Sequence, residues 1–139
     1  MAIFLNNKVG FKIATVDLSD HVTAFTLNRQ ADQLEVTAMG DTSHKFVPGL
    51  SADTITVSFL NDTAAGSVLA TLQTAYGTTV AFAAVQDKVA AISATNKLYT
   101  GTILIDSIPD ISGAVADEAM FDITFTCNST TALATTGTW

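Results

Sequence analysis

Two histidines, His21 and His44, a lone cysteine, Cys127, and the aspartate and serine that precede the histidines are the side chains here with reactive chemistry to offer. Asp20-His21 and Ser43-His44 contain the ingredients of a hydrolytic relay. Neighbours on a strand or loop point apart, however, and no Gly-x-Ser-x-Gly elbow presents a serine to a base. The histidines lack the helical or knuckle spacing that closes around zinc. Gly40 to Gly49 ends in no Lys-Ser or Lys-Thr, so it is not a phosphate-cradling loop. Cys127 has no internal disulfide partner and reads as a small buried hydrophobe in a reducing compartment. Asn61-Asp62-Thr63 and Asn128-Ser129-Thr130 match the glycosylation pattern. They read as chance matches, because Met1–Lys8 shows no basic n-region, apolar core or cleavage site. The expectation is no enzyme, no cofactor and no metal, but a protein that acts through its surfaces.

Composition bounds those surfaces. A chain of 139 residues with 48% hydrophobic and 14% charged side chains is too apolar for disorder and fits a single domain over 1–139. So sparse a charge implies that neighbours cover much of the exterior. The balance of 13 acidic against 6 basic residues, net −7, excludes a protein that grips nucleic acid, which needs clustered Lys and Arg. Nowhere do enough apolar residues run together to span a bilayer, so no membrane insertion is expected.

Strands dominate the expected elements, because β-branched Thr, Val and Ile fit a pleated surface. In Thr54–Phe59, Ile55, Val57 and Phe59 share one face while Thr54, Thr56 and Ser58 share the other. In Phe121–Cys127 the apolar face is Phe121, Ile123, Phe125 and Cys127, opposite Asp122, Thr124 and Thr126. Further strands are expected near 11–16, 22–30, 34–38, 79–85 and 98–108. A short helix is expected over about 64–76, capped by Asp62 or Thr63, with a stripe of Val68, Leu69, Leu72, Ala75 and Tyr76 and a stop at Gly77. The phenylalanines distributed along the strands suit a sandwich core. Residues 85–96 and 109–118 read as connections, and the Thr- and Ala-rich tail 129–139 as flexible or docked on a neighbour through Trp139.

One segment does not fit a compact meander. Met39–Ala52 is a long polar connection bracketed by Gly40 and Gly49, far longer than a hairpin needs. That stretch and the alternating Asp53–Asp62 after it resemble the tail tube (major tail) proteins of long-tailed bacteriophages. In those proteins a Gly-Asp-Thr-like start, a polar or basic run, a Gly-Leu pair and an alternating strand ending in Asn/Asp follow in this order. Val16–Leu27 is similar to the Leu-Ser-Asp-hydrophobic entry into the family's second strand, and Ser112–Asp117 loosely to the turn before its last strand, without the Pro that often precedes the Gly. The likeness spans roughly residues 8–126 as an order of elements.

The resemblance implies a mainly β fold, a β-sandwich or barrel-type tail tube fold with one short α-helix and a long inter-strand loop. It implies hexameric rings stacked into a hollow tube through which genomic DNA passes without specific binding. It also implies a tape-measure protein, a tail terminator and distal tail initiator proteins as partners, assembly in the host cytoplasm and residence in the virion tail. On this reading the 39–52 loop reaches the next ring through Asp41, His44, Lys45, Phe46 and Val47, and Thr54, Thr56, Asp122, Thr124 and Thr126 are candidates to line the lumen. Alternatives remain open: the tube protein of a contractile injection system, or a monomeric β-sandwich module binding carbohydrate or protein. For a sugar platform the exposed aromatics are few, only Trp139, Tyr76 and Tyr99.

Overall fold

The computed structural model describes residues 8–139; the reading of the N-terminal segment as free of an export signal concerns residues almost wholly outside that range. Strands β1 (Gly10–Ile13), β2 (Val16–Asp17), β3 (Val22–Asn28), β6 (Thr54–Leu60), β7 (Thr79–Val85), β8 (Leu98–Leu104), β9 (Met120–Cys127) and β10 (Ala132–Ala134) form one antiparallel sheet in the order β2-β1-β7-β8-β9-β6-β3, with β10 beside β8. Strands β4 (Ala31–Glu35) and β5 (Phe46–Ser51) form a separate two-stranded ladder. The fold is mainly β, as expected.

The sheet curls until its two ends face each other. Phe11 of β1 packs against Phe25 of β3 with tilted rings, centroids 5.0 Å apart, and against Phe59 of β6 at 6.3 Å; Phe59 meets Phe121 of β9 at 5.5 Å. The alternations in β6 and β9 point as the sequence suggests, with Ile55, Val57, Phe59, Phe121, Ile123 and Phe125 buried. Cys127 is only half-buried at the end of that row. Helix α1 (Val68–Ala75) adds Val68, Leu72 and Ala75 to the same core.

Several boundaries differ from the sequence expectation. The helix starts later than residue 64 because Asp62 is engaged elsewhere. One carboxylate oxygen accepts the Ala64 N–H at 2.9 Å, closing a turn, and the other meets His21 at 3.0 Å. Ser67 occupies the cap position without a side-chain cap bond. Gly77, at φ +76°, does terminate the helix. The expected strand over 11–16 is a hairpin, reversed at Ala14 and Thr15 with φ of 58° and 137°. Neither residue type advertises such a turn.

The tail differs from a free segment: within 129–139, β10 pairs with β8 and Trp139 lies on β1. A Cβ on Gly10 would stand 2.7 Å from the indole, so only glycine admits it, and the Lys12 ammonium sits 4.2 Å from the ring centroid.

Candidate functional site

The segment expected as a loop over 39–52 is half strand. β3 pairs with β6 and β4 pairs with β5, so the four strands are one long hairpin interrupted at Arg29–Gln30 and Ala52–Asp53. Pro48 and Gly49 hide the strand in the sequence, yet a two-stranded ladder leaves each strand one free edge where the missing N–H of proline does no harm. Of the two bracketing glycines, Gly40 alone makes a reversal, at φ +96°; Gly49 is extended, and a Cβ on it would stand 3.3 Å from Asp32 and Leu34.

Asp53 fixes the junction. It is 4% exposed, accepts the Gln30 N–H at 3.1 Å with one oxygen and the buried Thr131 N–H at 2.9 Å with the other. Burial works against its charge, but those N–H groups and nearby Arg29 outweigh it and hold the carboxyl below the usual carboxylate range. Ser51 adds a hydroxyl contact to Thr130 at 2.8 Å. The arm is thus fastened to the body at its root.

Beyond the root nothing covers it among the described residues. Every β4 residue is exposed, and Leu34, Val36, Met39, Phe46 and Leu50 are between 49% and 105% accessible. Leu34 lies opposite Val47, and Val36 continues that face; Glu35 lies opposite Phe46 on the other. At the tip, Asp41 accepts the Ala38 N–H at 2.8 Å and the Lys45 ammonium at 2.6 Å. Lys45 and that N–H lower the Asp41 pKa. His44 reaches Glu35 at 2.6 Å and its ring stands 6.4 Å from Phe46. Of the residues singled out from sequence, Asp41, His44 and Lys45 therefore gather at the tip with their polar groups partnered inside the arm, and Phe46 and Val47 present opposite faces of β5. Leu34, Val36 and Leu50 were missed, although the alternation Leu34-Glu35-Val36 opposite Phe46-Val47 carried the signal.

The second surface is a polar sheet face. The register sets Thr54 against Thr126, Thr56 against Thr124 and Ser58 against Asp122. Thr56 and Thr124 hydroxyls approach to 3.4 Å, and the Ser58 hydroxyl donates to Asp122. β3 extends the row with Thr26 opposite Thr56 and Asn28 opposite Thr54. The five residues proposed from alternation are thus on one continuous face. Its neighbours Ser58, Thr26 and Asn28 were legible by the same period of two.

The reactive side chains are dispersed. His21 pairs with Asp62 rather than with Asp20, whose carboxylate is 3.4 Å from the Lys88 ammonium. Burial, with the negative charge of Asp53, pushes the Cys127 thiol up, which disfavours the thiolate a nucleophile needs.

No protein-family model and no curated protein matches this chain. Among solved structures it is similar to a chain from the virion of a native gene transfer agent particle, with a TM-score of 0.72 at 14% identity over 95% of this chain and 99% of that one. It is also similar to a chain from the tail of the empty particle, refined with helical C6 symmetry, with a TM-score of 0.67 at 14% identity over 98% of this chain and 100% of the other. End-to-end coverage at this score establishes a shared fold.

Proposed function

We propose that this chain is a structural subunit that forms six-membered rings and stacks them into the tail tube of a bacteriophage-like particle. The observation that carries the reading is the arm: a ladder rooted in the core by Asp53 yet exposing Leu34, Val36, Met39, Phe46 and Leu50 to solvent. An isolated protein gains nothing from holding such an element away from its core, and an exposed apolar ladder invites association. The fold shared with a chain of a C6-symmetric tail supports six as the ring number.

Within the ring, the edge strand β3 joins the sheet of the adjacent subunit, and the arm seats on the next ring through Phe46, Val47 and the tip residues Asp41, His44 and Lys45. The hydroxyl face of Thr54, Thr56, Asp122, Thr124 and Thr126 lines the lumen. A wall of hydroxyls and a carboxylate, without Lys or Arg, lets DNA pass unheld. The subunit has no catalytic role. It resides in the virion tail after assembly in the host cytoplasm, with a tape-measure protein, a terminator and distal tail initiators as partners. Negative-stain microscopy of concentrated protein, with and without tail initiators, tests the reading. Tubes of uniform width are expected, and a persistent monomer that binds glycans would replace this reading with that of a binding module.

A further inference from the structure

A groove of about 390 Å3 runs between α1 and the β1–β2 hairpin, walled by Ala14, Val16 and Ala70 and floored in part by Thr71, Thr74 and Thr78. Three threonines ought to make it polar, but each hydroxyl is turned back onto the chain. Thr71 donates to the Ser67 carbonyl at 2.7 Å, Thr74 to the Ala70 carbonyl at 2.9 Å, and Thr78 to the Ala75 carbonyl. Their hydroxyls satisfied, the threonines offer methyl groups, and the groove is almost wholly carbon. One wall is the turn whose non-glycine residues Ala14 and Thr15 are held at positive φ. Such backbone persists where its surroundings over-determine it.

We propose that this groove is the socket for the arm of a second copy, receiving the face that carries Leu34, Val36 and Val47. The inference rests on the tube reading and adds to it the place where the arm seats. The two surfaces are complementary: small side chains and methyl groups line a concavity, and large branched side chains stand on a projecting ladder. Among the described residues no charged side chain lines the groove, and Lys45, just before β5 on the same side as Val47, has its ammonium drawn onto Asp41 at 2.6 Å. The arm can therefore enter without stranding that charge. Because plug and socket are different parts of one chain, the contact is heterologous and repeats from copy to copy instead of closing as a two-fold pair.

A cysteine pair tests it. In a Cys127→Ser background, Leu34→Cys and Thr74→Cys together, oxidised under tube-forming conditions, are expected to give a ladder of covalent multimers on non-reducing gels that neither single cysteine gives. Ala70→Glu keeps a good helix former but places a carboxylate in the socket. It is expected to raise the protein concentration needed for tubes about tenfold or more, with the monomer's melting temperature unchanged. Tubes that form without a ladder, or at unchanged concentration with Ala70→Glu, overturn the socket and leave the tube reading standing. An unaltered chain that stays monomeric at every concentration overturns both.

Discussion

The two halves of one hairpin obey different rules. In β6 the inner half alternates buried and accessible, with Ile55, Val57 and Phe59 in one core with residues of α1 and β1, whereas in β5 every residue except Gly49 is exposed. Backbone pairing is the same in both halves, and the difference is what lies across from the side chains. A ladder without a second layer gains its hydrogen bonds but buries no apolar face, and two strands alone are marginal in water. The inner half makes the core and the outer half is left uncovered.

The sharpest way to break this comparison is to truncate one phenylalanine from each half. Phe59→Ala, at a fully buried site in contact with Phe11 and Phe121, is expected to cost about 3–5 kcal/mol in denaturant unfolding. Phe46→Ala, on the face of β5 opposite Val47, is expected to stay within about 0.5 kcal/mol of the parent yet to weaken tube formation. Equal losses of monomer stability would mean that the arm folds onto its own body.

The junction comes next. Asp53→Ala leaves the Gln30 and Thr131 N–H groups without their acceptor, at about 1–3 kcal/mol for a buried one. Amide exchange is expected to quicken over residues 31–51 and 128–134 before it does in β6 and β9. Uniform acceleration would show that Asp53 supports the whole sheet rather than the hinge.

Acid gives a milder version of the same test. The folded Asp53 pKa lies below its unfolded value of about 3.9, so its contribution is fully present above that value. It is lost as pH falls through the lower, folded pKa. Stability is expected to be flat near neutrality and to decline below about pH 4, with Asp53→Asn flattening the part of that slope due to this residue. An unchanged slope in Asp53→Asn would assign the acid sensitivity to other carboxylates.

The smallest effect on folding belongs to Asp122→Lys on the hydroxyl face, within about 0.5 kcal/mol. Tubes should assemble normally and DNA passage slow, because a cation now faces the phosphates. Unchanged release from particles would remove the lumen assignment.

The strands with one wet and one dry face were legible in the sequence because burial imposes a period of two: Thr54–Phe59 and Phe121–Thr126 show it, and the polar face follows from it. The helix was legible in Val68, Leu69, Leu72 and Ala75 of its stripe, but Tyr76, expected there too, caps the helix and is exposed. Its start was not legible, because Asp62 was taken by Ala64 and His21. β5 was invisible as a strand, since a segment wet on both faces carries no alternation and its Pro48 and Gly49 read as loop. The arm was found only by its excess length.

The sequence by itself determined that this is a mainly β chain with a sparse, acidic surface, no catalytic motif and one connection too long for its place. Only tertiary structure decided that the connection is a ladder rooted by Asp53, that the tail belongs to the sheet through β10 and Trp139, and that three threonines line an apolar groove. Those outcomes turn on which distant groups meet. A hydroxyl counts as polar or apolar, and an aspartate as a helix cap or a hinge pin, according to the partner that folding brings within reach.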